Sequence, residues 1–272
     1  MERRSDQVIR WLLPTLGGLL ILLAYAFTLF LREGGLFAGD GDPGRHIRVG
    51  NFILENRTIP RVDVFSHTMR GSEFIPFEWL SEVIFAAADA VAGLAGVTIL
   101  TGLLFAAAVG LVYAAIRRAG VPVPLAFGFG LLAFLLQAMH LHPRPHMFTT
   151  ALVALFSLSL IDVRLGSPGK RLLALPVLMV FWVNLHGGFL VGFILIGAFL
   201  ADSAIRWARE RNSADSRLTW WLLGTLAACL MASLLNPAGW ALWPHTTGYL
   251  GETFLVDFTQ EYQSPDFHDA LL

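Results

Sequence analysis

Asp40 and Asp42 flank one glycine in the stretch AGDGDPGRHIRV, and His46 follows Asp42 by four residues. If a helix starts at Asp42, with the aspartate as N-cap and Pro43 at the first helical position, His46 lies one turn on and near the same face. On local grounds the capping and catalytic roles of Asp42 weigh about equally, and Asp40 is left without capping duty. A second cluster, HLHPRPH at 140–146, sets His140, His142, Arg144 and His146 between two apolar runs. Each of its prolines removes a backbone donor and biases the preceding residue toward extended geometry, so Arg144 belongs on a stiff turn. Zinc is the weaker reading of this cluster, because its prolines deny the histidines the helix on which i, i+4 ligands would converge and no cysteine accompanies it. A guanidinium held there suits an anion, above all a phosphate, which it grips bidentately.

Two more stretches place polar groups in apolar surroundings. In FEWLSEVIFAAADAVAGL, Glu78, Glu82 and Asp89 share nearly one helical face. Carboxylates there must meet water, arginine or a cavity. Water at the membrane interface is the plain reading, and Glu78 in an acidic lining near Asp40 and Asp42 is the functional one. In WVNLHGG, Asn184 and His186 lie below the outer surface if the short helix before them crosses from inside, which costs energy unless they line a cavity. A tight helical turn capped by the asparagine is about as good an account as a substrate contact.

The elements that must carry these groups are membrane helices. Of 272 residues 56% are hydrophobic and 14% charged, and mean hydropathy is +0.63. A net charge of -1 without a basic domain gives no reason to invoke nucleic acid, and the lone Cys229 excludes an internal disulfide. Apolar runs fall near 8–31, 97–116, 121–138, 147–162, 172–184, 187–205 and 219–235, which predicts an all-α polytopic bundle of about seven spans. "AYA" at 24–26 resembles a cleavage site, but the apolar run continues to Leu31 and favours an uncleaved anchor.

Twelve of the nineteen basic residues occupy alternate connections: Arg3, Arg4 and Arg10; Arg117 and Arg118; Arg164, Lys170 and Arg171; Arg206, Arg209, Arg211 and Arg217. These belong inside, with the N-terminus cytoplasmic. The pattern leaves one crossing between 77 and 117, so 77–93 lies at the outer interface. It also turns the 34-residue run 172–205 into a hairpin, since a single helix of that length would be roughly 50 Å long. One transmembrane domain, 1–272, follows: a first span at 8–31, an outer loop with interfacial helices at 32–93, six further spans within 94–235, and an outer C-terminal segment at 236–272. All eight histidines then face outward; His67, His245 and His268 read as ordinary loop residues. Within 32–77, Ile47, Phe52, Ile53 and Leu54 form an apolar face for the membrane surface, with Arg48, Glu55 and Arg57 toward water. Glu252, Asp257 and Glu261 add acidity at the end.

The order DGDPGRHIRVGNFIL, IPRVDVFSHT, FEWLSEVIF, HPRPHMFT, WVNLHGGFLVG, LLNPAGW and EYQSPDFH resembles a family of bacterial polytopic membrane proteins related to GT-C glycosyltransferases. The resemblance implies transfer of a sugar from a polyprenyl-phosphate carrier to an acceptor glycan, lipid or protein at the outer face of the cytoplasmic membrane. It implies Asp42, with Asp40 as alternate, as the first-loop acid that takes the acceptor's proton, and His46 as a group that orients the acid or shares a divalent metal with it, magnesium or manganese. Arg144, aided by His142 or His146, would hold the departing phosphate; Asn184, His186 and Glu78 would line the sugar pocket. The single glycine between the aspartates departs from the family's neighbouring acidic pair, and the early end of the chain points to a truncated member. A transporter or metal-handling protein, and an inactive or truncated scaffold, are the alternatives.

Overall fold

The computed structural model describes residues 15–31, 36–37 and 40–248. Arg3, Arg4, Arg10, Arg32, Glu252, Asp257, Glu261, His268 and the EYQSPDFH stretch lie outside the described residues. The described chain is all-helical; apart from an isolated antiparallel bridge between Val62 and Glu73 it carries no β pairing. In chain order the helices are α1 (Leu16–Ala26, continued by a π turn over Phe27–Leu31), α2 (Asp42–Asn56), α3 (Trp79–Arg118), α4 (Val123–Ala138), α5 (His146–Arg164), α6 (Ala174–Leu185), α7 (Leu190–Glu210), α8 (Ser213–Ser233) and α9 (Leu242–Gly248).

Three helical segments are long and apolar enough to cross a membrane: Trp79–Arg118, His146–Arg164 and Gly187–Glu210. Helices Leu16–Phe30 and Val123–Ala138 are apolar but shorter. Large apolar side chains stand exposed along them, among them Leu103, Phe129, Leu132, Leu136 and Ile194, a surface that suits lipid better than water. The first run expected from 172 begins instead with a 3-10 turn over Gly169–Leu173, so that α6 has only 12 residues.

Helix α3 is broken at Ala92 and Gly93; Gly93 has φ 61 and ψ -153, a backbone shape that only glycine adopts without strain. The first limb of α3 carries α2. Pro43, His46, Val49, Gly50 and Ile53 are the buried face of α2, in place of the lipid-facing stripe through Ile47, Phe52 and Leu54 that periodicity favours. Gly50 explains the difference: a Cβ there would stand 2.0 Å from the carbonyl oxygen of Glu82, so the two backbones touch where a side chain would hold them apart. The helix start differs by one residue as well. Gly41 is the N-cap and makes no side-chain cap, while the Asp42 amide donates to Asp40 Oδ1 at 3.0 Å. Asp40, not Asp42, therefore carries the turn.

The core has three apolar clusters. One surrounds Trp182, Phe156, Phe189, Leu175 and Met179; a second joins Leu20, Phe105, Phe134 and Leu141; a third joins Phe85, Val97, Phe148 and Leu185. At one end of the bundle ion pairs tie helix termini together: Arg118 and Arg171 to Asp162 at 3.2 and 2.9 Å, Arg164 to Asp202 at 2.9 Å, and Arg206 to Asp215 at 2.7 Å. The other end holds the polar residues singled out above.

Candidate functional site

At that second end the start of α2, the loop before α3, the turn before α5 and the α6–α7 break enclose a cavity of about 840 Å³. Its wall includes Asp42, His46, Glu78, His142, Arg144, His146 and His186, together with Arg45, His140, Phe77 and Thr246. Seven of the nine residues to which the resemblance gives roles thus meet in one cavity. Asp40 and Asn184 are not among its lining residues.

Arg144 joins the two acidic residues. Its Nε donates to Asp40 Oδ2 at 2.8 Å and a terminal nitrogen to Oδ1 at 2.9 Å, a two-point fork, while the other terminal nitrogen stands 3.4 Å from Asp42 Oδ2. The fork that a phosphate was expected to fill is thus engaged by a carboxylate of the same protein. Burial opposes ionisation of Asp40, but the Arg144 hydrogen bonds, the Asp42 amide and the arginine's charge prevail and hold its carboxyl below the usual range. Asp40 is shielded, with 6% of its side chain exposed; Asp42 is open, with 46%. The turn bearing the arginine is closed by backbone bonds from the His142 amide to the His140 carbonyl, 3.0 Å, and from the Arg144 amide to the His142 carbonyl, 2.8 Å. His146 Nε2 pairs with the His140 carbonyl at 2.9 Å.

His186 is oriented from behind. The Gly188 amide donates to its Nδ1 at 2.9 Å, so Nδ1 is an acceptor. The Thr149 hydroxyl, 3.0 Å from the same nitrogen, therefore donates to it, and in turn receives the Trp182 indole N–H at 2.8 Å. The ring proton is thereby placed on Nε2, which faces Glu78 Oε1 at 3.6 Å. Burial pushes His186 down to about 4 and Glu78 up to about 8. At neutral pH this is a contact between two uncharged groups.

His46 is buried, and its Nδ1 lies 3.5 Å from Glu82 Oε1. Burial lowers its pKa despite the carboxylate. An Arg45 nitrogen stands 3.4 Å from Nε2, a cation where a metal bound by Asp42 and His46 would need room. Among the described residues no three His, Cys, Asp or Glu side chains converge as metal ligands. The donor set therefore does not fit the divalent ion that the resemblance implies.

Asn184 serves the scaffold. Its amide donates to the Val180 and Leu235 carbonyls at 2.7 and 3.0 Å, and its oxygen accepts from Trp79 Nε1 at 2.6 Å and Asn236 at 3.2 Å. Asn236 in turn donates to the Val183 carbonyl at 2.8 Å. The asparagines of WVNLHGG and LLNPAGW thus lock α6, α8 and the start of α3 together below the cavity. Sequence reading missed Arg45, Thr149 and Asn236. The i+3 spacing of Arg45 from Asp42 was the one available signal, while Thr149 and Asn236 act through contacts between distant segments.

No protein-family model, curated protein or solved structure matches the chain.

Proposed function

We propose that this protein is a membrane glycosyltransferase of GT-C type, moving a sugar from a polyprenyl-phosphate carrier to a glycan, lipid or protein acceptor at the outer face of a bacterial cytoplasmic membrane. The observation that carries the reading is the pair of first-loop acids with separate environments. Asp40 is clamped by Arg144, and Asp42 stands half-exposed on the wall of a polar cavity at one end of an apolar bundle. In this reading the chain crosses the membrane about seven times with its N-terminus inside, and residues 32–93 form the outer loop.

Asp42 acts as general base. Its carboxylate takes the proton from the acceptor hydroxyl as that oxygen bonds to the anomeric carbon, and the bond from this carbon to the phosphate oxygen breaks, its electron pair leaving with the phosphate. Arg144 fixes the base and contributes positive potential as negative charge grows on the leaving group. His142 and His146 stand beside the arginine, and His186 and neutral Glu78 offer hydrogen bonds to sugar hydroxyls. No step is assigned to a metal.

Clustering of the polar cavity groups at one end, opposite the ion-paired helix ends, favours this reading over transport, which needs a site reachable from both faces. The test is transfer of radiolabelled sugar from polyprenyl-phosphate donors by the purified protein in lipid, with and without divalent metal. Asp42→Asn should lose transfer by at least about a hundredfold with its melting temperature unchanged. Full activity in that variant, or no transfer by wild type with any donor, overturns the proposal.

A further inference from the structure

We infer that Arg45 is the residue that directly contacts a phosphate entering the cavity, the phosphate being a monoester or diester of a lipid or soluble molecule. The inference deepens the transferase reading and rests on it for the identity of the substrate.

Four observations carry it. Arg45 lines the cavity with 48% of its side chain exposed, against 23% for Arg144. Arg144 has two nitrogens on Asp40 and the third beside Asp42; gripping a phosphate in a fork would require giving up those bonds. Arg45 is held differently, since its nearest carboxylate oxygens, on Glu78 and Glu82, are 3.8 Å away. At that range they steer the side chain without saturating its five donors. Glu78, raised to about 8 by burial, is uncharged at neutral pH, so one of the two acids beside the arginine does not offset its charge.

Placement on α2 supplies the remaining argument. Asp42 and Arg45 are three residues apart on one helix and both reach the cavity, with Cβ atoms about 5–6 Å apart by helix geometry. A base at the acceptor hydroxyl and a cation at the leaving phosphate need to stand on either side of one sugar carbon, and this spacing is of that order. Anchoring both on a helix packed backbone to backbone at Gly50 would keep their separation constant through the reaction.

The experiment measures binding without a sugar. Full-length protein in nanodiscs of zwitterionic lipid is titrated with radiolabelled undecaprenyl phosphate and, separately, with inorganic phosphate. Arg45→Gln should weaken binding of the lipid phosphate by about tenfold or more, whereas Arg48→Gln, three residues on and exposed, should leave it unchanged. In wild type, bound undecaprenyl phosphate should protect Arg45 from phenylglyoxal, read by mass spectrometry, which keeps the test valid if Arg45→Gln fails to fold. Protection by the lipid alone assigns the phosphate to a lipid carrier, and protection by inorganic phosphate as well assigns it to the phosphate group itself; both support the inference. Binding by Arg45→Gln within about twofold of wild type, unprotected Arg45, or no binding of either probe overturns it. Absence of sugar transfer in wild type that still binds counts against the transferase reading alone.

Discussion

Asp40 and Asp42 are separated by one glycine and meet opposite conditions, the first sealed against Arg144 and the second open to the cavity. Removing the charge at Asp40 leaves a partly buried guanidinium without its fork. Asp40→Asn should therefore lower stability by about 2–4 kcal/mol, visible as a drop in melting temperature, with activity falling because Arg144 moves. Glu78 gives a pH-dependent prediction. Its carboxyl is raised from the ordinary range to about 8 in the folded protein, so between about pH 4.5 and 8 the folded state holds a proton that the unfolded state has lost. Stability from this group is fully present at the acid end and declines as pH rises through 8. Glu78→Gln, neutral throughout, should flatten that decline and melt higher than wild type at pH 8. His186, lowered to about 4, has the opposite sign: its contribution is present above about pH 6.5 and lost as pH falls through 4. Melting curves from pH 4 to 9 on both proteins check the two directions, and equal slopes for wild type and Glu78→Gln would remove Glu78 as the cause.

Helix α2 and the first limb of α3 form the platform for Asp42, Arg45 and Glu78, and two glycines set its shape. Any side chain at Gly50 meets the Glu82 carbonyl. Gly50→Val should destabilise the protein by about 2–3 kcal/mol and abolish phosphate binding by shifting α2. Gly93→Ala forces a β-carbon into the φ 61 backbone at the break, at a cost of about 1–3 kcal/mol; denaturant titration of the two variants reads both. Much of this level was legible in the sequence. Apolar runs and proline and glycine breaks announce helices. What was not legible depends on which helix meets which. The buried face of α2 is decided by Gly50 against α3, not by its own apolar stripe, and Arg45 reaches the cavity only as a result. Asn184 reads from sequence as a substrate contact or a cap, because the carbonyl of Leu235 and the indole of Trp79 that engage it lie far along the chain. Arg144 was legible as a rigid guanidinium, but its fork on Asp40 depends on a contact across 104 residues.

Across the whole molecule the two ends differ in chemistry. Arg118, Arg171, Arg164 and Arg206 meet Asp162, Asp202 and Asp215 at one end, and the histidine-lined cavity with its arginines occupies the other. If the bundle spans a membrane with the arginine-rich connections inside, an odd number of crossings separates residue 68 from residue 210. Both positions are exposed, and the native Cys229 is buried, which suits single-cysteine labelling. In intact bacterial cells made permeable only at the outer envelope, a membrane-impermeant maleimide should modify Thr68→Cys, and should reach Glu210→Cys only after the inner membrane is lysed. Met139→Cys, exposed beside the HLHPRPH turn, should behave like position 68. Labelling of 210 and not 68 in intact cells would invert the protein, place the cavity on the cytoplasmic side and count against the proposed outer-face, lipid-linked donor. Labelling of all three positions before lysis would mean that the arginine-rich end is not sealed behind the membrane.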